Sequence, residues 1–230
     1  MPGCSTQEDW QEWAQGSIHF QEDSVPASKF LPLRMRRRLS AFNKSTLVSV
    51  YQLNHDLEEV RSVFASRHGD MQTATALYEQ LAANEKLSPV AFTRSVFNNT
   101  QGLFSIATGN RHPGTSVSGG RSTLFYALLE AATQLQTSDE KYVLVNISDE
   151  PLPALYHPFD DEQTHRFSLS LLLSQDVDGL LLQGYAEPDA EEPSEGEPLA
   201  VQFLRWLLKD PSAFAYHDGR LRWEWTRLDG

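Results

Sequence analysis

Apolar positions recur at helical spacing in some stretches of the chain and run together or alternate in others. The helical spacing predicts helices over residues 32–54, 71–83, from Ser88 onward, 120–135 and 199–208. The compact or alternating runs predict strand-like segments at 17–20, 60–65, 103–108, 142–147, 167–173 and 179–185. The runs 167–173 and 179–185 are expected to pair as antiparallel strands across residues 175–178, and a final hairpin is expected to turn at Asp218-Gly219. This order predicts an α/β fold of three layers, with helices on both faces of a β-sheet.

The domain organisation follows from one break in this pattern. Residues 187–198, EPDAEEPSEGEP, are rich in acids and proline and contain almost nothing to bury. Apolar helical spacing resumes directly after them. We therefore expect a single domain over residues 1–230, with a mobile acidic surface loop at 187–198.

The composition of the chain indicates its cellular compartment and the classes of partner that it does not bind. The chain has 19 basic and 31 acidic residues, a formal net charge of −12, and one cysteine, Cys4. Binding to nucleic acid or to an anionic membrane needs clustered basic residues, so neither is expected. An intrachain disulfide is impossible, and neither a secretory signal nor a membrane-spanning apolar run is recognisable. These features predict a cytoplasmic protein.

One local cluster departs from the acidic average. The segment LPLRMRRRLSAFNK carries Arg34, Arg36, Arg37, Arg38 and Lys44. Two interpretations stay open: a solvated helix face, or a docking patch for an acidic partner or a phosphate-bearing group.

Residues able to perform chemistry are few and scattered. No metal-ligand spacing and no phosphate-binding motif is recognisable, and the seven histidines are spread along the chain. The small-residue turn SVSGG enters a predicted helix, so Ser118 or Ser122 is a candidate nucleophile; the alternative is a tight structural turn. Asp149 and Glu150 follow a predicted strand, where either catalytic acids or a turn leaving the sheet would fit. His68, after the second predicted strand, is a candidate general base, but no nucleophile lies near it in the chain.

A longer pattern carries a family resemblance. Its central part is SVFNNTQGLFSIATGNR, followed by the small-residue turn and a helix containing LLEAA. Flanking matches are LPLRMRRRLSAFNKSTL, FASRHGD, LSPVAFTRSV and VLVNISDEPLP, so the pattern runs from about residue 31 to 173. In this order the segments resemble a short family related to the N-terminal half of β-ketoacyl synthases. In aryl polyene gene clusters such proteins are described as chain-length factors, each paired with a full ketosynthase.

The resemblance implies a thiolase-like half-domain, with a mixed β-sheet flanked by helices on both faces and without condensing activity. Active members carry a cysteine at the turn entering the helix, and that position falls here at Gly120 or Arg121. The catalytic histidines of ketosynthases belong to a second half that has no counterpart here, so no histidine of this chain inherits that role. No catalytic residue, metal or cofactor is therefore expected.

The resemblance also implies partners. A ketosynthase is expected as the other half of a heterodimer whose acyl tunnel this chain shapes, and an acyl carrier protein is a further candidate, docking on Arg34, Arg36, Arg37 and Arg38. The candidates for the interface or tunnel are the apolar residues near the turn: Phe97, Leu103, Phe104, Ile106, Leu124 and Phe125. Two alternatives stay open, a divergent serine acyltransferase or hydrolase using the turn at 116–122, and a carrier-protein scaffold without a tunnel role.

Overall fold

The computed structural model describes residues 6–17, 27–176, 179–186, 196–209 and 211–228 of the chain. Among these residues are eight α-helices, listed in chain order: α1 (Gln7–Gln15), α2 (Leu33–Arg36), α3 (Ala41–Tyr51), α4 (Met71–Ala82), α5 (Pro89–Ser95), α6 (Asn99–Thr108), α7 (Thr123–Thr137) and α8 (Leu199–Lys209). Two 3₁₀ segments, Gly120–Ser122 and Ala154–Phe159, precede α7 and β4 respectively. None of the helices in these ranges has the length and apolarity that crossing a bilayer would demand.

Seven strands in the described ranges form two sheets. They are, in chain order, β1 (Arg61–Ala65), β2 (Gly114–Val117), β3 (Tyr142–Asp149), β4 (Phe167–Ser174), β5 (Leu180–Ala186), β6 (Ala213–His217) and β7 (Leu221–Arg227). Sheet A has the order β2-β1-β3-β4, in which β1 pairs in parallel with β2 and β3, and β4 pairs antiparallel to β3. Sheet B is antiparallel, in the order β5-β7-β6. A mixed sheet flanked by helices is thus confirmed.

Helices lie on both faces of sheet A because its central strands are buried on both sides. In β1, Val63 belongs to a core cluster with α7, α8 and the tryptophans of sheet B, whereas the adjacent Phe64 belongs to a second cluster with α3 and α6. Neighbouring strand residues point to opposite faces, so these clusters lie on opposite sides of the sheet. The resulting layers are helices α3 and α6, sheet A, helices α7 and α8, and sheet B.

Two sequence-based predictions about local structure are wrong. Residues 103–108 are the end of helix α6 and not a strand. Leu103, Phe104 and Ala107 are spaced for one helix face and pack together on the second core cluster. The strands β4 and β5 do not pair with each other, because β4 pairs with β3 and β5 pairs with β7.

The predicted helix at 32–54 is interrupted. Helix α2 ends at Arg36, and α3 begins anew after Ser40, whose hydroxyl accepts the backbone N–H of Asn43 at 3.1 Å. Helix α1 was not predicted, although Thr6 and Asp9 form a capping box at its start. The predicted strand at 17–20 and most of the predicted acidic loop at 187–198 lie outside the described residues.

Candidate functional site

The turn at the start of α7 is built from residues that need small or absent side chains. Gly120 has φ +61°, a conformation that L residues with a side chain rarely adopt. A Cβ at Gly119 would lie 2.3 Å from Cδ2 of Tyr126, so that ring already fills the space. The turn therefore brings backbone close to α7, at the position where the resemblance expects a nucleophilic cysteine.

Arg121, next to Gly120, is held in a charge cluster. Its Nε donates to the Asp161 carboxylate at 3.1 Å, and another of its N–H groups donates to the Asp161 carbonyl oxygen. Arg67 bonds the same carboxylate at 2.9 Å and Glu162 at 2.7 Å, and Tyr216 donates its hydroxyl to Glu162 at 3.2 Å. Burial opposes ionisation of Asp161, but Arg67 and then Arg121 outweigh it and lower the pKa of that carboxyl. The cluster ties the segment before β4 to the turn.

The two candidate serines differ in access. Ser122 is only 1% exposed; its hydroxyl donates to Asp218 and accepts the indole N–H of Trp223 at 2.7 Å. Ser118 is exposed, and its hydroxyl donates to the carbonyl oxygen of Arg67 at 3.1 Å. Ser122 thus has a structural role, joining the turn to sheet B, and Ser118 is the serine of this turn that solvent can reach.

Asp149, at the end of β3, holds the loop after β1. It accepts the Ser66 hydroxyl at 2.7 Å and the backbone N–H groups of Arg67 and His68 at 3.0 and 3.1 Å. Gly69 completes the loop with φ +72° and donates its N–H to the Ser66 hydroxyl at 2.7 Å. Asp149 therefore has a structural role, because it holds the loop that follows β1.

Burial raises the pKa of Asp149 to about 6, although the three hydrogen bonds to Arg67, Ser66 and His68 oppose the shift. Between the unfolded pKa near 3.9 and this value, the native state holds more protons than the unfolded state. The free energy of unfolding therefore contains a contribution from Asp149 that is largest near pH 4 and is lost as the pH rises through about 6. Burial raises the pKa of Glu150 to about 7, so its contribution has the same sign.

We expect Asp149→Asn to remove part of this pH dependence. Urea unfolding of both proteins between pH 5 and 8 measures it: the wild type loses stability toward pH 7, by about 1–2 kcal/mol from Asp149 over this range. In the variant, of these two carboxyls only Glu150 still lowers the free energy of unfolding as the pH rises. The variant is also less stable near pH 5, because its amide N–H₂ faces backbone donors. Identical pH slopes in the two proteins would contradict this assignment.

The six tunnel candidates occupy three environments. Phe104, Leu124 and Phe125 are buried in the core, and Leu103 is half-buried against it. Phe97 and Ile106 are 41% and 77% exposed and are therefore available to a partner. The structure does not bring the six to one surface.

A cavity of about 260 Å³ lies between α3, α4, α5 and the carboxyl ends of β1 and β3. Of the six candidates, Phe97 lines it. Its polar wall contains Thr46, Asn146 and Ser148, which are hydrogen-bonded to one another and to β4. These residues were missed in the sequence because single polar residues in β3 and α3 carry no recognisable motif.

The arginine cluster lies in and after α2. Arg34, Arg37 and Arg38 are exposed, whereas Arg36 is half-buried and its Nε has no hydrogen-bond partner. Within the described part of the chain, none of the four has an ion-pair partner. Their charge is available to an acidic molecule.

Strand β2 forms one edge of sheet A as far as the structure describes the chain. Its four residues are half-buried, and a surface groove beside it is lined by Val117, Tyr126 and Leu129 among others. Tyr126 and Leu129 on α7 are 38% and 48% exposed. An unpaired strand edge beside apolar side chains is a typical surface for protein–protein pairing.

The family model described as β-ketoacyl synthase, N-terminal domain, matches residues 10–226, so the chain belongs to that family. The fold agrees with solved structures of that kind. The chain is 27% identical, with a TM-score of 0.86, to a chain in the structure "Ketosynthase (ApeO) in Complex with its Chain Length Factor (ApeC) from Xenorhabdus doucetiae", covering 99% of this chain and 95% of that one.

Two other similar structures support the fold alone. One is "The ishigamide ketosynthase/chain length factor", at 14% identity and TM-score 0.59, covering 80% of this chain and 64% of that one. Another is a type II polyketide synthase acyl-carrier protein in complex with its ketosynthase, at 11% identity and TM-score 0.61, covering 90% and 89%. No curated protein matches the sequence of this chain.

Proposed function

We propose that the chain is a noncatalytic chain-length-factor subunit that pairs with a ketosynthase and shapes its acyl tunnel in aryl polyene biosynthesis. One observation carries the proposal: the near full-length match to a chain of a ketosynthase and chain-length-factor complex. Because 95% of that chain is covered, it too has the size of one ketosynthase half. The same match supports a single half-domain over residues 1–230.

The chemistry of the turn supports the absence of catalysis. Condensation on an acyl thioester needs a thiolate to carry the acyl chain. Gly120 has no side chain, and Arg121 is a cation whose guanidinium is committed to Asp161. Neither residue can form a thioester, so the condensing nucleophile must come from the partner.

The two exposed tunnel candidates, Phe97 and Ile106, can reach the acyl tunnel of a partner. Phe97 and Ile106 belong to the segment after α4 that the resemblance associates with pairing, and both present apolar surface to solvent. A bulky side chain at the end of a tunnel resists further growth, because overpacking costs about 1–3 kcal/mol. We propose these two residues as the length-setting positions, since Phe104, Leu124 and Phe125 are committed to the core.

Carrier-protein docking is a further part of the proposal. Arg34, Arg37 and Arg38 are exposed and have no ion-pair partner in the described residues. An acidic carrier protein would be attracted to them, although the surrounding chain is negative overall.

The alternative is a serine acyltransferase or hydrolase. Burial of Ser122 removes it as a nucleophile and leaves exposed Ser118 as the residue on which that function would depend. An acylating probe that labels the wild type and not Ser118→Ala would support this alternative.

The decisive experiment is co-expression with the ketosynthase encoded beside this protein. We expect one chromatographic peak containing both chains. Polyenes should form when the complex is supplied with carrier-bound substrates and with the ketoreductase and dehydratase activities that turn each condensation product into an alkene. Phe97→Ala and Ile106→Ala should move the products toward longer chains, as measured by mass spectrometry, because each removes a block to growth.

Leu181→Ala, an exposed apolar position on sheet B, is the control and should leave product length unchanged. Separate elution of the two chains would contradict the pairing. Unchanged product length in both variants of an intact complex would contradict the tunnel positions.

A further inference from the structure

The cavity beside α4 has the features of a small-molecule site. It has a volume of about 260 Å³ and is bounded by buried side chains on its inner side. That volume corresponds to roughly nine water molecules, and thus to an organic molecule of about that number of non-hydrogen atoms. The inner wall is rigid, because Thr46, Asn146 and Ser148 already satisfy one another by hydrogen bonds.

Two side chains of the wall have unused hydrogen-bonding groups. Arg94 is half-buried and lines the cavity, and among the described residues its guanidinium has neither an ion pair nor a hydrogen bond. His68 also lines the cavity, and its ring nitrogens have no hydrogen-bond partner in the same part of the chain. In a chain with a net charge of −12, an arginine without a carboxylate partner at a cavity wall favours an anionic ligand.

The other charged side chain of the wall, Asp70, uses both carboxylate oxygens in hydrogen bonds within the chain. Asp70 lines the cavity, but one of its oxygens accepts the backbone N–H of Thr73 at 3.0 Å and caps α4. Its other oxygen accepts the side-chain amide of Asn43 at 3.4 Å. Burial, followed by the nearby charge of Arg67, lowers the pKa of His68, which leaves a neutral imidazole at neutral pH that can donate one hydrogen bond.

The apolar part of the wall is half aromatic. It consists of Phe42, Phe64, Ala65, Met71, Ala74, Tyr78, Val96 and Phe97, and Ser66, Gly69, Ser95 and Thr100 complete the lining. Aromatic rings pack favourably against a flat apolar body in offset or edge-to-face geometry.

We propose that this cavity binds a small aromatic monocarboxylate, with its carboxylate on Arg94 and His68 and its ring among Phe42, Phe64 and Phe97. The assignment depends only on residues of this chain and not on the pairing proposed above. It gives the chain a ligand site on the face of sheet A opposite α7.

Calorimetric titration of the full chain with phenylacetate tests the proposal, with 2-phenylacetamide as the neutral analogue of equal shape. The complex with the ketosynthase serves as the sample where that is the form that purifies. We expect saturable binding of phenylacetate, and binding of the amide about tenfold weaker or more, because the charge-assisted hydrogen bonds are lost.

Matched variants locate the site. Arg94→Gln should weaken phenylacetate binding about tenfold, whereas Arg111→Gln, at an exposed arginine outside the cavity, should not. Ala74→Leu fills the cavity and should abolish binding, whereas Ala76→Leu, exposed on the same helix, should preserve it. Thermal unfolding of both leucine variants checks that they fold.

Three outcomes would overturn the proposal. The first is no saturable binding to the wild type at millimolar phenylacetate. The second is equal affinity for phenylacetate and the amide, or an unchanged affinity in Arg94→Gln. Either result would show that Arg94 does not bind the carboxylate of the ligand. The third is wild-type affinity in a folded Ala74→Leu variant, which would locate the ligand elsewhere.

Discussion

Trp223→Ala is expected to lower the free energy of unfolding by about 3–5 kcal/mol, a large fraction of the stability of an ordinary domain. Trp223 is 4% exposed and its indole stacks on Phe125 of α7 with an interplanar angle of 26°. The substitution would leave a large cavity between sheet B and α7. A large-to-small change in a core loses the buried apolar surface and, in addition, the contacts around the cavity.

Two further contacts make Trp223 hard to replace. A Cβ at Gly184 would lie 2.0 Å from the indole, so the ring occupies the space above a glycine of the neighbouring strand. The indole N–H donates to the buried hydroxyl of Ser122, whose own proton is bonded to Asp218. Loss of the indole removes one partner of a buried polar group at the turn that begins α7.

Urea unfolding measures the effect, with Tyr185→Ala as the control. Tyr185 is an aromatic residue of β5, 42% exposed and paired with Arg222 in the register of sheet B. Its removal should cost less than about 1 kcal/mol. A Trp223→Ala protein as stable as the control would show that sheet B contributes little to the core around α7.

We propose that the ketosynthase interface includes the groove beside the β2 edge. Leu129→Asp is then expected to weaken the complex by more than about 100-fold, because it would bury an unpaired carboxylate at that interface. Leu129 lies on α7 and lines the groove beside the β2 edge. It is 48% exposed, so the free protein should tolerate the aspartate at little cost in stability. Gel filtration and calorimetry of the co-expressed chains measure the loss of the complex.

The matched control is Leu181→Asp, the same substitution at a leucine of β5 that is 41% exposed. It should leave the complex intact, because sheet B is separated from sheet A by the layer of α7 and α8. An intact complex in Leu129→Asp would remove the groove beside β2 from the proposed interface, while the pairing itself would still be measured by co-elution of the wild-type chains.

Local signals predicted several elements because the residues that set their ends are neighbours in sequence. Ser88 and Pro89 start α5 as expected, with the Ser88 hydroxyl accepting the N–H of Ala91 at 3.3 Å. The turn at Asp218-Gly219 joins β6 and β7, and Gly219 has φ +96°. Capping and turn formation depend on a few adjacent residues, so the sequence shows them directly.

Residues 103–108 and the pairing of β4 depended on distant parts of the chain. A short apolar run in a sequence fits a buried strand or a buried helix equally. In the structure the run is helical, and the ring of Phe104 packs against the ring of Phe64 on β1. Strand β4 could have paired with β5, the strand that follows it in the chain. It pairs instead with β3, where Ser168 and Ser170 of β4 accept the side-chain amide of Asn146.

The features of the candidate site likewise divide into those that the sequence determined and those that only the tertiary structure decided. The sequence alone determined the α/β class, the family resemblance and the absence of a cysteine at Gly120 or Arg121, because these are properties of residue type and order. Only the tertiary structure decided that Ser122 is buried, that Arg121 is bound to Asp161, and that Arg94 faces a cavity. Each of these depends on which distant side chains share a low-dielectric space, and that is set by packing and not by spacing along the chain.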